Sequence, residues 1–245
     1  MKYIYSVTLM LFFGSLAFAQ TKPKVWIYTD MSDKNIRGIE KEGSANDPDD
    51  ISAMAGYLLM ANEFDTKGIV VSSTHRSVHK TSPNQAQWAE SYFGNAYKQD
   101  IINLNKKLGG YQSEINFMES SIKSTSEMFD PSKDYKSLAK HPSIKALHDL
   151  ASKETDIIHV LLWGSVTEAA ILVKHCISNK KTKPLKKLKF IAHWTNSYWH
   201  QGSMDKPYDV ANCREDAKAC AYMKDMAKSG VIQYYECAAI GQHGI

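Results

Sequence analysis

The chain reads as an α/β fold, a mostly parallel sheet with helices on both faces, and three observations predict it. Short apolar runs alternate with stretches of helical apolar spacing. The first strand–helix–strand unit occupies about 50 residues, the size of a βαβ crossover. The strand-like runs are apolar almost throughout, as strands covered on both faces must be.

Taken in order, Lys24 to Thr29 (KVWIYT) forms the first strand, and Asp30 ends it. Residues 31 to 46 are charged, contain glycine and lack periodicity, which predicts a long loop. Asp47-Pro48-Asp49-Asp50 opens a helix whose apolar face is Ile51, Met54, Ala55, Leu58 and Leu59. Lys67 to Ser73 is the second strand. Residues 84 to 107 read as helical, with Trp88, Tyr92 and Ile101 among the inward-facing side chains, and 110 to 140 as polar and irregular with one short helix. Pro142 opens a helix to Lys153, and Asp156 to Trp163 (DIIHVLLW) is the clearest strand. Gly164-Ser165 turns it into a helix marked by Val166, Ala169, Ala170 and Val173. Leu188 to Trp194 is a further strand, Glu215 to Lys228 a further helix capped by Gly230, and Val231 to Glu236 the last strand.

With 245 residues, 43% hydrophobic and 23% charged, the chain fits one globular domain and neither a disordered nor a fibrous class. The first residues carry a targeting pattern: Lys2, the apolar run Val7 to Phe13, and Ala17-Phe18-Ala19 as a small-x-small cleavage site. Cleavage after Ala19 leaves a domain over 20–245. That run is shorter than the roughly 20 apolar residues of a membrane span. No cysteine follows the cleavage site, and no later segment is apolar enough to span. The expectation is a periplasmic or secreted protein. A net charge of +4 is mildly basic. The densest basic run, Lys180 to Lys189, contains Pro184 and no aromatics, so it is a solvated connection and no nucleic-acid partner is expected. Of Cys176, Cys213, Cys220 and Cys237, the middle two fall on one expected helix, roughly 10 Å apart along its axis, too far to bond. The other pairings stay open, and no CxxC suggests zinc.

The informative segment is Thr29-Asp30 followed by Asn46-Asp47-Pro48-Asp49-Asp50. Capping alone accounts for the second part: Asp47 as N-cap, Pro48 at the first helical position, Asp50 as capping-box acid, all suited to the helix dipole. Two features add chemistry. Asp30 stands at the carboxyl end of the first strand, the edge where open α/β sheets bind ligands. The acidic helix start follows in the same connection, and carboxylates converging there repel unless a cation sits among them. Hard oxygen donors in a flexible site favour calcium.

This pattern resembles the calcium-dependent nucleoside hydrolases, whose strand-end motif is Asp-x-Asp-(x)3-Asp-Asp. The Asn-Asp-Pro-Asp-Asp wording is closer to the nucleoside-hydrolase-like domain of some bacterial cellulose-binding proteins. Asn62 to Asp65 leading into Gly68 to Val71 is similar to the family's second strand. Leu161 to Ala170 is similar to its Gly-Pro-Leu-Thr-Asn segment, and Asn212 with Asp216 to its late Asn-(x)3-Asp motif. The resemblance spans most of 24 to 230. It implies Asp30 as metal ligand and general base, Asp50 as metal ligand, Trp163 as a carbonyl ligand, and Asp49 and Asn212 as sugar contacts. The chain departs from the pattern at Tyr28, which stands for the motif's first acid, in the long spacer 31 to 48, and at Ala217-Lys218. The family's last metal aspartate and its neighbouring acid histidine are not found, so a C-terminally truncated or shortened domain is expected.

Cleavage of an N-glycosidic bond needs an activated water, contacts to the sugar hydroxyls and a proton for the leaving group. By type alone, His75, His79, His193, His200 and His243 are donor candidates. The segment His193 to His200 follows a strand, so it lies on the same edge. There Trp194, Tyr198 and Trp199 either stack on a ring or pack under a loop, and Asn196 is a hydroxyl contact. The loop 31 to 46 is either a lid or a surface insertion. These residues predict a calcium-dependent glycosidase acting on a nucleoside or small glycoside. The alternatives are a non-catalytic module that binds oligosaccharide and an inactive truncated homologue. Oligomeric state is not legible.

Overall fold

The computed structural model describes residues 21–31, 33, 48–72 and 84–237. The targeting segment, nearly all of the 31 to 46 loop, Asp47, His75, His79 and His243 lie outside the described residues.

Lys24–Thr29 forms β1, and its side chains alternate between two cores. Val25 and Ile27 join one cluster, with Met54, Tyr57, Phe93 and Ile101. Trp26 and Tyr28 join the other, with Ile144, Leu147, Ile171 and Met223. A strand with both faces covered has no polar side to spare, which is why KVWIYT reads as an unbroken apolar run.

The remaining elements fill the two layers. Pro48–Leu59 (α1), Asp65–Val71 (β2), Gln85–Ala89 (α2), Asn95–Lys107 (α3) and Phe117–Glu119 (β3) make the first half. A wide π-helical turn, Glu90–Gly94, joins α2 to α3. Pro142–Lys153 (α4), Ile158–Leu162 (β4), Thr167–Ser178 (α5), Leu188–His193 (β5), Ala211–Arg214 (α6), Ala217–Lys228 (α7) and Gln233–Cys237 (β6) make the second. The sheet runs β3-β2-β1-β4-β5-β6, and every pairing is parallel. The chain thus winds outward from β1 to one edge, returns to the centre at β4 and winds outward to the other. The connections leaving β1 and β4 part in opposite directions, and a crevice opens above their carboxyl ends.

Helix α5 is buried all round. Nine of its 12 residues are buried, among them Glu168 and His175. Its apolar residues spread around the helix because it packs on the sheet and against both α4 and α7.

Two expectations need correction. The stretch 110 to 140 contains β3, a three-residue edge strand too short to show periodicity. The helix expected over 215 to 228 is α7, but a separate short helix, α6, precedes it across a break at Asp216, whose backbone is not helical. That break brings Cys213 and Cys220 to a Cα–Cα distance of 5.2 Å, and they form a disulfide. The expectation that they could not bond assumed one unbroken helix. Cys176 and Cys237 are free thiols, and burial pushes the Cys176 thiol up to about 12.

Asp216 holds the break together. Its carboxylate accepts from Ala219 N at 3.0 Å as the α7 N-cap, from Phe129 N at 2.9 Å and from Thr167 Oγ1 at 2.8 Å. Asp216→Ala removes the cap and leaves two buried donors without partners. A loss of about 2–4 kcal/mol in chemical denaturation is expected, and a variant as stable as the parent would contradict this role.

Candidate active site at the centre of the sheet

Asp30 leaves β1 at the crevice between β1 and β4 and is 2% exposed. The neighbouring chain makes room for it. A Cβ on Gly164, two residues past β4, would sit 2.5 Å from the Asp30 Cγ and 2.6 Å from Oδ2. Only glycine lets the carboxyl lie against the β4 turn.

Asp50, in the first turn of α1, reaches the end of β1. Its Oδ2 accepts from the Thr29 hydroxyl and, at 3.1 Å, from Asp30 N. The Thr29 hydroxyl in turn accepts from Met31 N at 3.1 Å. Asp50 therefore latches the α1 start onto the end of β1. Asp49 is half-buried, and its Oδ1 accepts from Asp50 N at 3.1 Å.

Three carboxylates so arranged strain against one another. Burial pushes the Asp30 carboxyl well above the usual range, and the neighbouring Asp50 and then Asp49 push it further. Asp30 Oδ2 is buried and accepts no hydrogen bond. Among the described residues, no group of three or more His, Cys, Asp or Glu side chains is arranged to hold a metal ion. Among the described residues, the oxygen donors beside Asp30 include Asp50, Asp49 and the Thr29 hydroxyl.

The carbonyl of Trp163, just past β4, accepts from Asn212 Nδ2 at 2.7 Å. The same amide donates to His193 O at 2.9 Å. Asn212 thus clasps the ends of β4 and β5, and what remains for a ligand is its acceptor oxygen. The Trp163 ring packs edge-on to Tyr57, centroids 6.3 Å apart.

The segment after β5 divides. Trp194 is buried, with φ +49°, and stacks on His200 at 5.2 Å, so it packs under the loop. Tyr198 is 52% exposed and Trp199 85%. Asn196 Nδ2 donates to Glu236 Oε2 at 3.3 Å. Glu236 also accepts from the Thr195 hydroxyl and pairs with the buried Lys224. The structure thus brings Asp30, Asp49 and Asp50 together, with the Trp163–Asn212 clasp across the β4 end. Asn196 and Trp199 lie in the loop beyond β5.

Glu168 is the residue that sequence reasoning missed. It lies in the first turn of α5 and is 5% exposed. One oxygen, Oε1, accepts from Ser120 Oγ at 3.0 Å, from Ser143 Oγ at 2.9 Å and from Ser121 N. Its acid is pushed up to about 7 by burial, against the pull of these donors. A glutamate opening a helix ordinarily complements the dipole at the surface. The available signal was the apolar run around it, which forces position 168 inward.

The family model described as cellulose-binding Sde182, nucleoside hydrolase-like domain, matches residues 41–205. Among solved structures, a plant nucleoside hydrolase, the PpNRh1 enzyme, matches with a TM-score of 0.47 and 14% identity. The match covers 89% of this chain and 60% of that one, so this chain spans less than two thirds of that enzyme. No curated protein matches.

Glu168 makes stability depend on pH. Its folded value of about 7 lies above the ordinary 4.5, so the folded chain holds the proton more tightly. That contribution is complete below about pH 4.5 and is lost as pH rises through about 7, on the order of 3 kcal/mol. Asp30 acts in the same direction. Urea midpoints of the parent should fall between about pH 5 and about pH 8, and Glu168→Gln should shrink the fall. Parallel profiles would contradict the assignment.

Proposed function

The chain belongs to the nucleoside hydrolase-like family of cellulose-binding Sde182, and from that premise we propose that it is an exported hydrolase of glycosidic bonds. The bond is N-glycosidic, of nucleoside type, and the cofactor is calcium. The observation that carries this proposal is Asp30, a carboxyl held almost fully buried at the centre of the sheet's carboxyl edge, beside Asp50 and Asp49.

The donor set suits a hard cation. It is all oxygen, it carries negative charge, and no lysine, arginine or histidine is hydrogen-bonded to Asp30 among the described residues. Asp30, Asp50 and the Trp163 carbonyl would hold the ion. When bound, calcium lowers the pKa of a water and orients sugar hydroxyls. Asp30 takes the proton of the attacking water. Asp49, half-buried at the α1 start, and the acceptor oxygen of Asn212 hold sugar hydroxyls. The Thr29–Asp50 latch fixes the strand end so that Asp30 does not swing.

A second reading has its own observation. Trp199 and Tyr198 stand exposed in the loop after β5, ring centroids 5.5 Å apart. Adjacent exposed rings suit stacking on sugars, and the matched family description names cellulose binding. On this reading the chain is a carbohydrate-binding module on a hydrolase fold. Among the described residues, no helix is long and apolar enough to cross a membrane.

Hydrolysis of nucleosides and small glycosides by the purified full chain with calcium separates the two. Asp30→Asn should lower turnover at least about a hundredfold, since it removes the base while keeping the shape, and should remain folded. Undiminished turnover in that variant would sink the mechanism. Saturable oligosaccharide binding without product would favour the binding module.

A further inference from the structure

Behind Asp30 lies a small cavity of about 20 Å³, between the ends of β1 and β2 and the start of α5. Its polar walls include Tyr28, Asp30, Ser120, Thr167 and Glu168, and among the described residues no lysine, arginine or histidine lines it. Three atoms on these walls are buried without a hydrogen-bond partner: Tyr28 OH, Asp30 Oδ2 and Glu168 Oε2. All three residues are at least nine-tenths buried. Left unsatisfied, each such group pays its full desolvation penalty.

The size and the count of these groups point to one occupant. A cavity needs roughly 10–15 Å³ of such space to hold one water, and buried waters make about three hydrogen bonds to otherwise unsatisfied groups. A water has two O–H donors and can accept. With both acids ionised, two of the three orphaned groups are carboxylate oxygens that accept, and the third is a hydroxyl that donates. One molecule satisfies all three.

We propose that Glu168 is a positioning residue for Asp30, acting through one bridging water that accepts from the Tyr28 hydroxyl and donates to Asp30 Oδ2 and Glu168 Oε2. Glu168 is suited to the task because its other oxygen is already fixed. Ser120 and Ser121 hold it from the segment after β3, and Ser143 from the first turn of α4. The Ser121 and Ser143 hydroxyls also bond each other. That polar knot ties three elements together, and the water extends its rigidity to the carboxyl face that the Asp50 latch does not reach. The consequence for metal binding rests on the function proposed above; the water itself does not.

The test has two arms. A crystal structure of the full chain, at a resolution that shows ordered water, should contain one water within hydrogen-bond distance of all three atoms. An empty cavity, or a metal ion there by anomalous scattering, overturns the proposal. In solution, terbium replaces calcium as the probe, its luminescence sensitised by Trp163. Glu168→Met should weaken terbium affinity on the order of tenfold, as loss of an outer-shell partner does. Glu168→Gln keeps a polar head for both the serines and the water, and should restore most of that loss. If Glu168→Met does not fold, Tyr28→Phe takes its place, with weaker binding and no water in its crystal structure. Unchanged affinity in a folded Glu168→Met or Tyr28→Phe overturns the positioning role. A parent chain that binds no terbium counts against the proposed function, and the crystallographic water then decides this inference alone.

Discussion

A carboxylate with almost no exposure sits at the one place where two parallel strands release their chains in opposite directions. Much of the local structure follows from keeping Asp30 there. Removing a charge from water is costly unless partners compensate, and the surroundings supply compensation from several sides. Gly164 yields the volume. Asp50 accepts the Asp30 main-chain N–H and the Thr29 hydroxyl, so the strand cannot slide away from α1. Yet Asp50 and Asp49 also repel Asp30 and push its acid up. The arrangement is tense by construction, as sites that bind cations or move protons are.

Around this centre lies a second layer of buried polar groups, all at the same edge of the sheet. Glu168 gathers the serines of the β3 and α4 connections, and Asp216 gathers Thr167, Phe129 and α7. Asn212 joins the carbonyls at the ends of β4 and β5. These contacts link the carboxyl ends of three strands, β3, β4 and β5, through side chains, where the ladder hydrogen bonds stop. The opposite, apolar interior needs no such ties, because packing on both faces of the sheet holds it. A site built on fixed strand ends and cross-tied loops keeps its geometry as its ligand arrives.

What the sequence displayed of this depended on length and periodicity. β1, β4 and β5 were legible because they are long apolar runs, and Asp30 because it ends the first. β3 was not, since Phe117 to Glu119 is three residues long and pairs on one side only. The short helix α6 was not legible, since four residues are too few to show periodicity, and the break and the disulfide went with it. The roles of Trp194 and Trp199 could not be separated from composition: both are tryptophans of one loop, and only the left-handed turn at Trp194 sends that ring inward. Glu168 was masked by its position, where an exposed glutamate is the ordinary occupant of a helix start.

The central claim is that the Asp30–Asp50 corner is a cation site as well as a helix latch. Calorimetric titration of the full chain with calcium, beside Asp30→Asn, tests it most directly. With two carboxylates and one carbonyl from the chain, affinity should be modest, with a Kd on the order of 10⁻⁴ M. It should disappear in the variant while circular dichroism stays unchanged. A folded parent chain that takes up no calcium would contradict the claim and leave Asp50 as a structural latch beneath a carbohydrate-binding loop.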